Sequence, residues 1–285
     1  MSSAAALTRR QVALATASAL VCFAANSILC RFALAGGAID AASFTAIRLV
    51  GGAAALAVLV RGRGLFQSGS TLSALALFAY AAPFSFAYLE LGAGVGALVL
   101  FACVQLTMIG WGIARGERPS ALAWVGLILA TGGLASLTLR GAGAPDPGST
   151  ALMAVAGAAW GIYSLRGRRV AGDALGATAS NFLRTVPLAV ALAAVAALRR
   201  GVVISPRGIA LALASGVVAS GLGYSLWYLA LPRLSATRAA VLQLLVPILG
   251  AASGVVFLGE AISLRLVLSG AAILGGVGLV IRAKS

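Results

Sequence analysis

The end of the chain, residues 234–282, reads LSATRAAVLQLLVPILGAASGVVFLGEAISLRLVLSGAAILGGVGLVIR. It consists of two long apolar runs that meet at Gly259-Glu260. The same arrangement occurs earlier, where two apolar runs meet at Gly116-Glu117. The shift in residue number that superimposes one Gly-Glu pair on the other also superimposes Gly132 on Gly275. Two copies of one pattern in the same register indicate an internal repeat, which has to be recognised before single helices are assigned.

The composition is that of a membrane protein. Of the 285 residues, 61% are hydrophobic and 9% are charged, whereas soluble domains carry about 25% charged residues. A membrane-spanning helix needs about 20 apolar residues, and several runs of that length contain no Asp, Glu, Lys or Arg: 11–30, 64–89, 91–114, 119–139 and 208–232. Because a bilayer admits only helices and closed barrels, continuous runs of this kind predict an all-α polytopic membrane protein.

The pattern predicts ten transmembrane helices in two inverted five-helix repeats. Residues 1–140 form the first repeat, residues 141–149 a polar connecting loop, and residues 150–285 the second repeat. Because five is odd, the second repeat enters the membrane from the opposite side, a layout found in many secondary transporters. The ten predicted spans are 11–34, 41–60, 71–90, 92–114, 119–139, 150–166, 175–198, 208–231, 235–258 and 263–281.

The basic residues predict the orientation. If the N-terminus is cytoplasmic, the loops on the inner side carry more arginine and lysine than those on the outer side, although Arg199, Arg200 and Arg207 form an exception. The positive-inside rule therefore places both termini in the cytoplasm, in the inner (plasma) membrane of the cell. The net charge of +15 does not indicate nucleic-acid binding, because the arginines are scattered between apolar runs. The outer faces of the helices are expected to contact membrane lipid.

Short motifs identify a family resemblance. Trp160-Gly161-Ile162-Tyr163 precedes a basic cluster, Arg48 and Arg184 lie early in the second and seventh spans, and Gly-Glu pairs end the fourth and ninth. Together these motifs resemble the drug/metabolite transporter superfamily, in its ten-helix type with two EamA repeats. The resemblance implies a carrier, often an exporter of amino acids or other metabolites, that works by alternating access. Within that family, the chain resembles the aromatic-amino-acid exporters. The first span departs from the pattern, because Ala25-Asn26-Ser27 replaces the Trp-Gly pair of many members.

The titratable residues argue against an enzyme. The chain has no histidine, and its six acidic residues all lie at predicted span ends or in loops. No carboxylate pair, nucleophile triad, metal site or cofactor site can be assembled from them. Small-cation exporters of the wider superfamily carry a glutamate in the first helix, where this chain has Asn26 and Ser27. A neutral or zwitterionic small-molecule substrate is therefore expected rather than a cation.

Aromatic residues near the middle of three spans are candidates for substrate binding. Tyr80 and Phe84 lie on one face of the third span, Trp160 and Tyr163 lie in the sixth, and Tyr224 and Trp227 lie in the eighth. Such stripes also arise from helix packing or from the interfacial aromatic belt. A hydroxyl or an indole N–H in mid-membrane nevertheless requires a partner.

Polar groups in mid-membrane complete the predicted site. Asn26, Gln105 and Gln243 carry amides, which are costly to bury unless they form hydrogen bonds. The explanation is either interhelical bonding or a cavity that receives substrate. Prolines inside helices remove a backbone N–H and free a carbonyl four residues earlier, so hinges are predicted at Pro83, Pro187 and Pro247. Arg48 and Arg184 either snorkel or pair with carbonyls, or one of them binds a substrate carboxylate. Arg184 is included in the predicted site.

The sequence thus predicts a secondary transporter that exports a small amphipathic metabolite through a central cavity between the repeats. An amino acid, with an aromatic one favoured, is the expected substrate. A broad drug exporter is the alternative within transport, and a structural membrane subunit is the alternative outside it.

Overall fold

The computed structural model describes residues 7–34, 36–62, 65–91, 93–138, 146–170, 173–258 and 264–283. In these ranges the regular secondary structure is helical, and one isolated bridge joins Ile39 and Ile204. The helices are α1 (Arg9–Leu34), α2 (Ala41–Leu59), α3 (Thr71–Ala87), α4 (Ala93–Ala114), α5 (Ala121–Thr138), α6 (Pro147–Gly167), α7 (Ala174–Arg200), α8 (Pro206–Ala214), a π segment (Ser215–Leu222), α9 (Gly223–Ala230), a 3-10 turn (Leu231–Arg233), α10 (Ala236–Leu242), α11 (Leu245–Leu258) and α12 (Leu264–Arg282).

These elements form the ten predicted spans, so the prediction of an all-α polytopic fold is confirmed. The first seven spans are α1 to α7, and α12 is the tenth. The eighth combines α8, the π segment and α9, while the ninth is divided between α10 and α11. Within the described ranges, five helices are long and apolar enough to cross a membrane on length and composition: Arg9–Leu34, Ala41–Leu59, Gly96–Ala114, Ala174–Arg199 and Pro206–Arg233.

Side-chain caps set the helix starts. Ser70, Ser205 and Ser235 accept a hydrogen bond from the backbone three residues later, which satisfies N–H groups that a helix end leaves open. Asp146 does the same for Ser149, so the sixth span begins at Pro147 rather than at residue 150. Residues 139–145, which contain most of the predicted connecting loop, lie outside the described residues, as do residues 259–263 with the second Gly-Glu motif.

The helix contacts come in pairs related by exchange of the two repeats. The helix α2 packs along α7 and α5 along α12, and each of these pairs joins equivalent spans. The contact between α3 and α6 corresponds to the contact between α1 and α9. In the same way, the contact between α4 and α6 corresponds to the contact between α1 and α11. Contacts that duplicate in this way are those of a two-fold arrangement, as an inverted repeat requires.

Two aspartates repeat this symmetry at opposite ends of the bundle. Asp40 caps α2, and its carboxylate also accepts a hydrogen bond from the Val203 backbone N–H at 3.2 Å. Asp173 caps α7, and its carboxylate also accepts a hydrogen bond from the Ser68 hydroxyl at 2.9 Å. The first pair lies at the predicted outer end and the second at the predicted cytoplasmic end. Each aspartate therefore ties the start of its own helix to a loop of the other repeat.

Small residues allow the closest contacts between spans. A Cβ on Gly276 of α12 would lie 2.4 Å from the carbonyl oxygen of Gly126 in α5, and a Cβ on Gly126 would lie 2.6 Å from that of Gly276. A Cβ on Gly216 of the π segment would lie 2.1 Å from the carbonyl oxygen of Arg48. At these crossings any larger residue forces the backbones apart. The approach at Gly216 places the π segment directly against α2.

The eighth and ninth spans deviate from regular α-helix near their middle. The π segment Ser215–Leu222 widens the eighth span, a distortion that occurs often at functional sites. The ninth span is interrupted at Gln243 and Leu244, just before Pro247. The carbonyl of Gln243, predicted to be free, accepts a hydrogen bond from the Val246 N–H at 3.1 Å, so that expectation was wrong. A tight turn replaces the bond that the proline removes.

Candidate functional site

A small cavity lies between the two repeats, near the middle of the spans. Its volume is about 20 Å³, which is close to the minimum of about 10–15 Å³ that holds one water molecule. Sites for small metabolites usually have a volume of about 300–1,000 Å³, so this conformation is contracted around the cavity. The lining residues are Phe23, Asn26, Ser27, Tyr80, Phe84, Leu100, Phe101, Trp160, Tyr224 and Val246.

Aromatic rings form most of the wall. The Trp160 ring centroid lies 4.9 Å from that of Tyr80, 4.7 Å from that of Tyr224 and 5.2 Å from that of Phe23. Phe84 follows Tyr80 on the same face of α3, with 5.2 Å between their centroids. These separations fall in the range of favourable aromatic pairs. The structure therefore brings four predicted residues together, on helices from both repeats, and adds Phe23 of α1, which the sequence did not single out.

Asn26 of α1 contributes a polar group to the cavity wall. The Asn26 amide N–H donates to the Tyr80 hydroxyl at 3.4 Å, and its carbonyl oxygen accepts from the Ser215 hydroxyl at 2.6 Å. Asn26 is 2% exposed, so these bonds offset the cost of burying the amide. Ser215 begins the π segment, and its role could not be read from the sequence because the segment itself gives no clear sequence signal.

Gln243 lies behind the aromatic wall and orients it. Its carbonyl oxygen accepts a hydrogen bond from the Trp160 indole N–H at 2.5 Å, and its amide N–H donates to the Ala239 carbonyl at 3.1 Å. Gln243 is fully buried and does not line the cavity. The Trp160 ring is therefore held at the interrupted part of the ninth span by the residue that the sequence placed in the site.

Other predicted residues lie outside the cavity wall. Tyr163 is buried and stacks on Tyr228 with 4.7 Å between the ring centroids. The Trp227 indole N–H donates to the Ser164 hydroxyl at 3.1 Å. Gln105 faces α5, where its carbonyl oxygen accepts from Thr131 at 3.4 Å. These side chains belong to the packing around the cavity in this conformation.

Arg184 and the predicted hinges are also separate from the cavity. Arg184 donates to the carbonyls of Phe66 and Ser68 in the α2–α3 loop and to the hydroxyl of Ser180. This corresponds to the predicted pairing with carbonyls. The helices α3 and α7 continue through Pro83 and Pro187. Among the three predicted hinges, only Pro247 follows an interruption of its span.

Arg48 lies behind the cavity wall, although the predicted site did not include it. For this residue the sequence left open snorkelling, pairing with carbonyls, or binding of a substrate carboxylate. It is 0% exposed, so it does not snorkel. Its Nε donates to the Ser220 hydroxyl at 3.0 Å and its Nη2 to the Tyr224 hydroxyl at 2.6 Å. The available signal was an arginine two turns inside an apolar helix, which is costly in a membrane and usually functional.

The first Gly-Glu motif closes the predicted cytoplasmic end. The Glu117 carboxylate accepts hydrogen bonds from the N–H groups of Ala236 and Thr237 at 2.8 and 3.2 Å, and it forms an ion pair with Arg168 at 3.4 Å. Partial burial raises the pKa of Glu117, but the hydrogen bonds and the arginine outweigh it and hold the pKa below its ordinary value. This carboxylate therefore joins the α4–α5 turn to the first turn of the ninth span.

Comparisons with known proteins agree with this fold. Residues 149–282 match the model of the EamA-like transporter family. An uncharacterized protein from Pseudomonas aeruginosa is 48% identical over 95% of this chain and 95% of its own length. The threonine/homoserine exporter RhtA of Escherichia coli K12 is 33% identical over 59% of this chain and 58% of its own length. A protein of known crystal structure matches with a TM-score of 0.80 at 20% identity, over 97% of this chain and 99% of that one.

Proposed function

Because the chain belongs to the EamA-like transporter family, and is therefore a multi-pass membrane transporter of the drug/metabolite transporter superfamily, we propose that it exports amino acids across the inner membrane. An amino acid with an aromatic side chain is the best fit. In this proposal both termini lie in the cytoplasm. The observation that carries this proposal is the aromatic cavity shared by the two repeats.

The lining of the cavity matches an amphipathic substrate. Phe23, Tyr80, Phe84, Trp160 and Tyr224 offer ring faces and edges to an apolar side chain. Asn26 and the two tyrosine hydroxyls offer hydrogen bonds to a polar end. The lining residues include no acidic side chain, which disfavours a cationic drug as the substrate. The relative named as a threonine/homoserine exporter supports amino acids as the class, while the aromatic lining supports the larger side chains.

The contracted cavity fits an intermediate of alternating access. Contacts between the repeats close both ends of the bundle, through Asp40 with Val203 at one end and through Glu117 with Thr237 at the other. Loss of one set of contacts would open the cavity to that side. The interruption of the ninth span behind Trp160 supplies a place where the span can bend, as broken helices do in other transporters.

The test is counterflow in proteoliposomes that contain the purified protein. Vesicles loaded with one amino acid are placed in a trace of the same labelled compound, and accumulation is followed for a panel of aromatic, aliphatic and hydroxylated amino acids. We expect aromatic amino acids to accumulate and a cationic dye to compete weakly. If the dye moves and no amino acid does, the protein is a drug exporter. If the stable protein moves neither, the transport proposal fails.

A matched pair of tryptophan variants links transport to the cavity. Trp160→Leu removes a ring of the cavity wall, whereas Trp124→Leu removes one that is 42% exposed on the outer surface of α5. An aromatic pair contributes about 0.5–1.5 kcal/mol beyond its buried area, and Trp160 forms several such pairs. We expect Trp160→Leu to reduce counterflow strongly and Trp124→Leu to change it little. An equal effect of the two variants would contradict the placement of the site.

A further inference from the structure

Arg48 is a cation enclosed in the centre of an apolar bundle. It lies about two turns from the start of α2 and is 0% exposed. Burial of an arginine without a counter-charge costs several kcal/mol even after the protein relaxes around it. A position of this kind therefore needs a compensating partner, and the identity of that partner is informative.

The partners that the described residues supply are all uncharged. Two nitrogens of the guanidinium donate to the hydroxyls of Ser220 and Tyr224. The guanidinium carbon lies 5.4 Å from the ring centroid of Tyr80 and 5.7 Å from that of Phe84. The third nitrogen, Nη1, is buried and has no hydrogen-bond partner. Hydroxyls and rings lower the cost of the buried charge without neutralising it.

No carboxylate in the described part of the chain pairs with Arg48. The ion pair found there joins Glu117 to Arg168, at the predicted cytoplasmic end. Asp40, the acidic residue nearest to Arg48 along α2, caps the start of that helix about 12 Å away and bonds to Ser43 and Val203. The described residues thus hold a buried cation with one open donor and no anion.

The guanidinium of Arg48 lies close to the cavity. Tyr80, Phe84 and Tyr224, the three aromatic residues that contact the guanidinium, also line the cavity. The guanidinium therefore lies next to the wall, and a separation of Tyr80 from Tyr224 would bring it into contact with a molecule in an expanded cavity. The tyrosine hydroxyls can serve as additional donors to the same anion.

We propose that Arg48 binds the carboxylate of the substrate and restricts transport to compounds that carry one. The inference rests on the proposed function and deepens it, because it names one residue that binds the carboxylate of the amino acid. The amino group of the substrate then contributes less to recognition than the carboxylate does. A monoanion matches a single guanidinium, whose planar N–H groups suit the two oxygens of a carboxylate. A phosphate would bring a second negative charge that no further cation at the cavity balances among the described residues.

The first test needs no variant. Counterflow of labelled phenylalanine into proteoliposomes is inhibited in turn with unlabelled phenylalanine, its carboxamide, phenethylamine and 3-phenylpropionate, which share one ring. A hydrogen bond to a charged group is worth about 1.5–3 kcal/mol, which corresponds to about 10- to 150-fold in affinity. We expect the carboxamide and the amine to inhibit at least about 10-fold less well than phenylalanine. Equal inhibition by phenylalanine and its carboxamide would overturn the proposal.

Variants then locate the preference on Arg48. Arg48→Gln should remove the preference for the carboxylate over the carboxamide, and Arg48→Lys, which keeps the charge but not the planar donors, should retain part of it. Arg184→Gln is the matched control, because Arg184 occupies the equivalent span and bonds to the α2–α3 loop. Any loss in that variant should be equal for both compounds. If Arg48→Gln does not fold, the inhibition series with the wild-type protein and the carboxylate preference of Arg48→Lys still test the proposal. Persistence of the preference in a folded Arg48→Gln protein would overturn the proposal.

The outcomes separate this inference from the proposed function. If labelled 3-phenylpropionate moves in an Arg48-dependent manner while no amino acid moves, the amino-acid proposal is wrong and the carboxylate site stands. If amino acids move but the carboxamide competes equally, transport of amino acids stands and the role of Arg48 is wrong.

Discussion

Replacement of Gln243 by leucine tests whether the cavity wall depends on a single hydrogen bond. The Gln243 carbonyl oxygen is the acceptor for the Trp160 indole N–H at 2.5 Å. Both side chains are almost fully buried, with exposed fractions of 0% and 4%. Leucine has a similar volume but no acceptor, so the change leaves the indole N–H of a cavity-lining ring without a partner.

The expected loss follows from the cost of a buried, unsatisfied donor. Leaving such a group unpaired costs about 1–3 kcal/mol, whereas hydrogen bonds between membrane helices average about 0.6 kcal/mol in double-mutant cycles. If Trp160 turns away to find another acceptor, the protein avoids most of the folding cost but loses the ring position that the substrate needs. We therefore expect a decrease in apparent substrate affinity of about 5- to 150-fold, with a small change in melting temperature.

Gln105→Leu is the matched control, since it makes the same chemical change in the fourth span. Gln105 is also buried, but it contacts Thr131 of α5 and not the cavity. Transport of aromatic amino acids by counterflow and thermal unfolding in detergent are measured for both variants. We expect transport to fall in Gln243→Leu and to stay within about twofold of wild type in Gln105→Leu.

A double-mutant cycle decides whether the bond itself is responsible. In the variant that combines Trp160→Phe with Gln243→Leu no indole N–H remains to be satisfied, so the loss of stability should be smaller than the sum of the two single losses. Additive losses, or equal transport defects in Gln105→Leu and Gln243→Leu, would refute the reasoning and assign Gln243 to helix packing alone.

Three further predictions concern topology, pH and packing. In a protein without its native cysteines, Val202→Cys should react with an impermeant thiol reagent on intact cells while Arg115→Cys should not; the opposite pattern would reverse the orientation. Because the pKa of Glu117 is held below its ordinary value, its stabilising effect is complete at neutral pH and is lost as the pH falls through that pKa. The melting temperature of Glu117→Gln should thus be lower than wild type at neutral pH, and the difference should shrink below about pH 4; a constant difference would contradict this. Gly216→Ala would place a Cβ 2.1 Å from the Arg48 carbonyl oxygen and should reduce both stability and transport, whereas Gly250→Ala, which meets nothing within 4 Å, should leave both unchanged.

Much of the fold could be predicted because it depends on periodic and compositional signals. Apolar runs gave helix positions within a few residues, and the caps that the structure shows at Asp40 and Asp146 account for where α2 and α6 begin. The repeated Gly-Glu motif and the odd number of spans per repeat led to the inverted arrangement. These features are strong because the membrane requires every backbone polar group to be satisfied within a helix.

The site was harder to predict because it depends on which faces meet. Tyr80, Trp160 and Tyr224 were placed by their depth in the membrane, and that criterion also selected Gln105 and Trp227, which face other helices. When all faces of a helix are apolar, the position of a residue along the helix does not show which neighbouring helix its side chain faces. The π segment adds a local rotation that brings Ser215 and Ser220 to Asn26 and Arg48, and the sequence contains no periodic signal for it.

The difference between Arg48 and Arg184 shows how two related repeats produce one site. Both arginines lie in the first half of paired helices, α2 and α7. Arg184 reaches backbone carbonyls of a loop, which complete its hydrogen bonds at the edge of the bundle. Arg48 meets the π segment, where Gly216 lets the backbones approach and Ser220 and Tyr224 take two of its donors. Loop carbonyls and a hydroxyl therefore complete the hydrogen bonds of Arg184, whereas Arg48 keeps one buried nitrogen without a partner. Of these two arginines, the one with the open donor is the one that lies next to the aromatic cavity.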